Sequence, residues 1–492
     1  MDRPLLAILV SLLAAVVIRL IGDRPAARET CTFVAAVVKF ALVASMLPII
    51  LGGGTLESEP LGLVPGLTLH LRVDALGLLF ALVASALWIV TSIYSVGYLR
   101  AGNYPNQTGY FASFAVCLSA TIGIAFAGNL PTFFVFYEML TLATYPLVAH
   151  NRTDAAIAGG RTYLVYTLIA GQALLIATVW ASTLAPGEGF QPGGFLPADA
   201  GAGVLLPLFA LFIVGVGVKA AVMPLHGWLP AAMVAPTPVS ALLHAVAVVK
   251  AGVFGILRVV GYVFGVDLLR TIGAADVLAA VAAVTILLAS VRALSETNLK
   301  RRLAYSTIGQ LSYIVLGAAL GSVAAVAGAM FYIAAHAFMK ITLFFVAGSL
   351  YVEKHRDKVT QLAGMAREMP ITMTAFAVGA SGLAGIPLFV GFVGKWNLAL
   401  GAIDAGRTIF VFVLVTSGLL NLAYFYPIVH DAFFGKPEAP AGGEARWTMA
   451  VPLTITALVS ITLGLAPDLG FGFFTLAWQA AESVATGGGG VP

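Results

Sequence analysis

Long apolar stretches, each interrupted by a short polar break, run from one end of the chain to the other. A bilayer-crossing helix needs about 20 mostly apolar residues. Fourteen such stretches run through residues 4–22, 31–50, 75–98, 111–127, 130–149, 161–183, 204–228, 236–262, 273–292, 304–320, 324–350, 370–398, 406–430 and 449–466. The pattern predicts an all-α polytopic membrane protein of about 14 transmembrane helices. The first stretch has no small-residue cleavage site behind it and reads as a retained span. The tail after Gly470 is Gly-rich and is expected to fray.

The polar breaks test this count, because cytoplasmic loops carry the excess of Lys and Arg. Odd-numbered loops hold Arg24 and Arg28, Arg100, Arg152, the run Lys300, Arg301 and Arg302, then Lys354, Arg356, Lys358 and Arg367, and finally Lys436 and Arg446. Even-numbered loops hold Arg72, Arg270, Arg407 and little else. A missing span would scramble this alternation, which places both termini on the outer side.

A repeat is visible within the series. Spans 4–8 cover 111–262 and spans 9–13 cover 273–430; five is odd, so two consecutive five-span units have opposite orientation. The fourth span of each is interrupted by Gly and Pro, as "VMPLHGWLP" in the first and "GLAGIPLFVGFVGK" in the second. Inverted repeats with discontinuous helices, here 7 and 12, are a transporter design. The division is then 1–110 for helices 1–3, 111–262 and 273–430 for the repeats, and 431–492 for helix 14 and the tail.

Composition removes the alternatives to a membrane location. Hydrophobic residues make up 60% of the chain and charged residues 10%, against about 25% charged in an average soluble domain. The net charge of +4 reports orientation rather than nucleic-acid binding. Cys31 and Cys117 lie far apart in apolar segments, and the histidines are too scattered for a metal cluster. Without a Walker loop, a GxGxxG after a strand, or a CxxC, the sequence offers no site for a cofactor or metal.

The chemistry lies in charges that a membrane should exclude. Lys39, Lys219, Lys250, Lys340 and Lys395 lie inside apolar spans, and Glu138 in "FFVFYEMLTLATYP" is the carboxylate well inside one. Left in lipid, the five lysines would cost on the order of 12–18 kcal/mol, so they must face protein or internal water. Burial favours a neutral lysine and a carboxylate neighbour favours a charged one; a lysine balanced between them can take up and release protons. Glu138, Lys219, Lys250 and Lys395 are the expected proton relay, and His244, His336 and Lys340 are candidate additional members. His336 and Lys340, four residues apart, share a helix face.

Each residue has a blander reading. Glu138 could be half of a static ion pair. Lys219 could be a helix-end lysine on free carbonyls. Lys250 and Lys395 could reach toward an interface, and the histidines could make structural hydrogen bonds. His226, at the first break, reads as structural. Pro224 frees carbonyls one turn back, which are expected to face the Lys219 ammonium beside a hydrated cavity. Lys39, outside both repeats, is expected to contact a partner subunit or bridge to the interface.

The stretches "KAAVMPLHGWLPAAMVAPTPVSALLHAVAVVKAG", "LKRRLAYSTIGQLSYI" and "HAFMKITLFFVAG" resemble the antiporter-like membrane subunits shared by respiratory complex I, membrane-bound hydrogenases and Mrp-type multisubunit cation/proton antiporters. The resemblance extends from about residue 70 to 435. It implies fourteen helices with inverted five-helix repeats, and a proton path through Glu138, Lys219, Lys250, His336, Lys340 and Lys395 with no redox centre. Length, Lys395 and "QLAGMAREMPIT" look most like the D-type component of an Mrp antiporter. The implied function is that of a non-enzymatic, proton-translocating subunit of a Na⁺/H⁺ antiporter in a bacterial-type cytoplasmic membrane. Its partners would be other membrane subunits, protons, Na⁺ and lipid, with no nucleic acid. The alternative is a proton-pumping subunit of a complex I-type NADH:quinone oxidoreductase or membrane-bound hydrogenase.

Overall fold

The computed structural model describes residues 2–64, 67–436 and 443–487. Each of the fourteen predicted spans has a helical counterpart. They are α1 (Arg3–Leu20), α2 (Pro25–Leu51), α3 (Ala75–Ala101), α4 (Gln107–Ala125), α5 (Leu130–Val148), α6 (Asp154–Leu184), α7 (Ala202–Gly217, then Trp228–Ala231), α8 (Thr237–Phe264), α9 (Ala274–Ser295), α10 (Leu299–Leu320), α11 (Val323–Lys354), α12 (Pro370–Ala384, then Val390–Asp404), α13 (Ile409–Phe434) and α14 (Trp447–Leu465). Among the described residues, eleven of these are single helices long and apolar enough to cross a membrane. The others are α5 and the interrupted α7 and α12. Helix starts are fixed by side chains that accept the first free N–H groups. Asp74, Asn129 and Ser322 do so for α3, α5 and α11.

Hydrogen bonds between loops follow the predicted alternation. At one end, Lys300 Nζ donates to Ala235 O (2.5 Å), Leu299 N to Asp357 O (2.8 Å) and Arg28 to Gln107 (2.8 Å), all between odd-numbered loops and the helix ends beside them. At the other, Gly193 N donates to Gly261 O (2.9 Å), Arg270 to Leu320 O (3.0 Å) and Ser322 Oγ to Gly401 O (2.8 Å), all between even-numbered ones. It follows that α7 and α12 run in opposite directions, as inverted repeats require. Two short hairpins, Leu56–Glu57 with Arg72–Val73 and Leu61–Val64 with Leu67–Leu69, cover part of the even-loop end.

The most apolar windows of α8, α10 and α11 are wholly buried, whereas outer helices present bulky apolar side chains such as Leu13, Ile169 and Phe412 outward. Charges therefore fit in the central helices and on the inward faces of the others, not on the outward faces. The tail departs from expectation. Residues Phe473–Ala485 form a further helix, α15, packed on the bundle through Phe473, Leu476, Ala477 and Ala480. Glycine flanks the helix, but its interior is apolar every third or fourth residue, and that spacing buries one face. Residues 437–442 and 488–492, which fall in the predicted 431–492 segment, lie outside the described residues.

Candidate functional site

Both broken helices place a lysine at the break. Helix α7 stops at Gly217, and a non-helical turn with Ala221 at φ +56° follows before Trp228. Gly252 of α8 lies against the backbone of Lys219 and Ala220, where a Cβ has no space, so the α8 backbone buttresses the turn. Lys219 is fully buried; its Nζ donates to Tyr137 O of α5 at 2.6 Å and lies 3.4 Å from the centre of the Tyr137 ring. This corrects the expectation that carbonyls freed by Pro224 would face the ammonium. The Val218 carbonyl is taken by Trp228 Nε1 (2.6 Å) and the Gly217 carbonyl by Val222 N (3.0 Å).

Helix α12 breaks between Ala384 and Val390, with Gly385 at φ +88°. Lys395, from the second half, reaches back across the break. Its Nζ donates to Leu383 O at 2.5 Å and lies 4.9 Å from the Tyr313 ring centre. Leu383 O is one of the carbonyls that a helix end leaves free. The two lysines thus have matching surroundings: one backbone carbonyl and one tyrosine face. The tyrosines come from α5 and α10, the second helix of each five-helix stretch. A ring face attracts a desolvated cation by about 2 kcal/mol.

Between these ends lies a central group on the buried helices. Lys250 Nζ and His336 Nδ1 are 2.8 Å apart. An N–H···N bond needs one lone pair, so the two side chains share a proton between them and cannot both be cations. Lys340, one turn beyond His336, donates to Ser306 Oγ (2.9 Å) and Leu303 O (3.3 Å). Ser306 is bonded to Tyr424 OH (3.0 Å), and Tyr424 OH to Asn421 Oδ1; Asn421 Nδ2 donates to Leu383 O (3.2 Å), which also accepts from Lys395. Lys340 and Lys395 are therefore joined by unbroken hydrogen bonds through α10 and α13. Ser306, Tyr424 and Asn421 carried no signal in the sequence, where hydroxyls and amides in apolar spans are common.

His244 lies in a π-helical turn, Leu242–Val246, a local widening found often at functional sites. Both its ring nitrogens are buried without a protein partner, and its ring packs on Phe344 at 4.6 Å. His226, at the α7 break, has its Nδ1 buried without a partner. The Glu138 carboxylate rests against Gly171 of α6, with Oε1 buried and unpartnered, and no ion pair within 4 Å joins it to Lys219 among the described residues. The static ion pair of the blander reading is thus absent in this conformation, while the two charges lie near enough to interact. Lys39 also differs from expectation. It is fully buried inside the chain, donating to Ser11 Oγ (2.5 Å) and Leu118 O (3.1 Å), because the meeting of α1, α2 and α4 supplies it with polar acceptors. It reaches no partner surface.

The central lysines, the α7 break and the α12 break all fall within residues 127–421, which match the family described as NADH:quinone oxidoreductase/Mrp antiporter, transmembrane region. The chain belongs to this family. It is 34% identical over 435 residues to NADH-quinone oxidoreductase subunit N of Desulforudis audaxviator, covering 82% of this chain and 83% of that one. It is 31% identical over 460 residues to a probable K⁺/H⁺ antiporter protein of the A/B type from Rhizobium meliloti, covering 89% of this chain but 44% of that relative. The chain thus spans less than half the length of that antiporter protein. The fold matches a chain of the Mrp complex from Dietzia sp. DQ12-45-1b with a TM-score of 0.86 at 24% identity, over 98% and 97% of the two chains. The expected superfamily and fold are borne out, and the chain is an antiporter-like membrane subunit.

Proposed function

We propose that the chain is the proton-translocating subunit of an Mrp-type monovalent cation (Na⁺)/H⁺ antiporter, equivalent to its D-type component. Protons pass along Glu138, Lys219, Lys250 and Lys395, with His336 and Lys340 completing the middle and His244 beside them. The reading keeps the division into two repeats, 111–262 and 273–430, each contributing one break lysine. The observation that carries it is the series of buried lysines, each held by one or two weakly competing acceptors rather than by a carboxylate. A cation fixed in a static ion pair stays charged, whereas one held by a carbonyl and a ring can lose its proton without stranding a counter-charge. The proposed role is transport rather than catalysis, and no step in it uses a cofactor. Lys300, Arg301 and Arg302 then face the cytoplasm, with both termini outside.

Lys219→Ala and Lys395→Ala test this reading. Each is expected to abolish proton-coupled transport in an assembled complex, while Lys395→Glu retains part of it through a different titratable group. Parental transport by both alanine variants would end the relay reading. The second reading, a pumping subunit of a complex I-type assembly, is favoured by the 34% identity to an NADH-quinone oxidoreductase component. Copurifying subunits separate the two: small hydrophobic antiporter subunits support the first, and iron–sulfur or quinone-site subunits the second.

A further inference from the structure

Helix α8 carries a second buried charge that the relay does not use. Arg258 is 2% exposed and makes a two-pronged bond to Asp74, Nη1 to Oδ2 at 2.5 Å and Nη2 to Oδ1 at 2.7 Å. Asp74 Oδ1 also accepts from Gly77 N (2.8 Å) at the start of α3, and Gly77 has no room for a Cβ between Ala125 O and the guanidinium. Three rings box the guanidinium, those of Phe190 (5.4 Å), Phe254 (5.0 Å) and Tyr262 (4.5 Å). Directly beyond Arg258 the helix widens into a second π-helical stretch, Val259–Phe264.

Asp74 also lines a cavity of about 280 Å³ at the even-loop end, together with Arg72, Tyr262, Gln479 and Ser483; exposed Gly53 and Glu482 form its rim. Its wall is therefore partly polar, and Gln479 Oε1 there is buried without a protein partner. Helix α15 supplies one side. On the inner side of the ion pair stands Phe254. It is four residues after Lys250 and four before Arg258, so all three share one face of α8. Its ring meets that of Phe80 on α3 at 5.1 Å. Lys250 and Arg258 are separated by about 12 Å of helix rise.

From the surface inward the order is a polar cavity, a buried ion pair, a layer of two aromatic rings, and then the Lys250–His336 pair. We propose that this cavity is the proton port of the even-loop end, closed in this conformation by Phe80 and Phe254, with the Asp74–Arg258 pair fixing α3 to α8 beside the seal. The inference rests on the relay reading for the ion carried. Arg258 is neutralised by Asp74 and Arg72 by Glu57, so a proton can be handed on past the fixed ion pair by water and the Tyr262 hydroxyl. Rotation of Phe254 away from Phe80 connects the cavity to Lys250, and its return restores the seal.

Two measurements on the assembled complex in proteoliposomes test the port. With Cys31 and Cys117 replaced by alanine, Ser483→Cys is treated with a charged methanethiosulfonate reagent, and transport is compared before and after. A several-fold loss on modification is expected; complete modification, verified by intact mass, with unchanged transport overturns the port. Phe254→Val is expected to raise passive proton leak several-fold down an imposed pH gradient, read with a pH-sensitive dye and no driving cation. Phe80→Val makes the same opening from α3 and replaces it if Phe254→Val fails to assemble. Parental leak in the assembled variant overturns the plug. Loss of transport in Lys219→Ala and Lys395→Ala with no effect in either port measurement would sink the port alone. Parental transport in those variants would sink the relay, whatever the port measurements gave.

Discussion

Tyr424→Phe removes one oxygen atom from the hydrogen-bonded link between Lys340 and Lys395. Tyr424 is 1% exposed, and its hydroxyl joins Ser306 to Asn421. Ser306 keeps its bond from Lys340 at 2.9 Å, but Asn421 Oδ1 loses its donor. A buried acceptor left unsatisfied costs about 1–3 kcal/mol. If the cost falls on the proton-carrying states, transport drops by roughly 5- to 150-fold at about 1.4 kcal/mol per factor of ten. The ring remains, so no cavity of consequence forms and the complex should assemble. The assay is the initial rate of cation-driven proton movement in proteoliposomes, normalised to assembled complex. Thr342→Val is the control. It removes another buried hydroxyl bond, to Thr456 at 2.8 Å, of similar energy but outside the link, and should lower transport less than twofold on the same reasoning. Equal rates for Tyr424→Phe and the parent, or equal losses in both variants, would refute a functional link.

Glu138→Gln keeps the shape beside Gly171 and removes the charge; transport should fall sharply with assembly intact, while Glu138→Asp keeps part of it, and parental transport by the Gln variant at every pH would make Glu138 a packing residue. Gly252→Ala forces a methyl into the Lys219–Ala220 backbone; it should displace the α7 turn and lower transport as far as Lys219→Ala does, whereas parental transport would show that the buttress is dispensable. Cysteines at Ser295 and Gly487 should be labelled from opposite sides of intact cells, and labelling from one side would overturn the fourteen-span orientation.

The spans were legible because lipid leaves a helix no alternative: each backbone polar group must be satisfied within the segment, so length and apolarity alone mark it. Lys219, Lys250, Lys340 and Lys395 were legible for a related reason, since a charge in such a segment is expensive wherever it is not needed. The same logic could have found Arg258, an arginine inside the eighth span; its partner Asp74 stands at a helix start, where aspartate is common as a cap and gives no hint of pairing with a residue 184 positions away. Tyr137, Tyr313, Tyr424 and Asn421 were not legible, because a tyrosine that fills space and one that holds an ammonium have the same sequence signature. Tertiary geometry also decided Lys39. Its position inside a span predicted burial against something, and only the meeting of α1, α2 and α4 identifies that something as Ser11 and Leu118.

The matched surroundings of Lys219 and Lys395 have an energetic consequence for how the two ends work together. A hydrogen bond to a charged group contributes about 1.5–3 kcal/mol, and the ring face adds about 2 kcal/mol in a desolvated site. Moving one charge through 100 mV supplies about 2.3 kcal/mol. The hold on each break lysine is thus of the same order as the work the membrane can do on it. An ammonium gripped by a buried carboxylate is held by a similar sum, since breaking such a pair costs about 3–5 kcal/mol, but its deprotonation strands a buried counter-charge, and Arg258 with its two-pronged bond to Asp74 is held in that way. The lysines at the breaks are therefore the charges that can let go within a transport cycle, and the arginine is the one that stays. The backbone breaks fit this division: Leu383 O is free to accept from Lys395 only because α12 is interrupted there, so a continuous helix would remove the acceptor and leave the lysine nothing to return to.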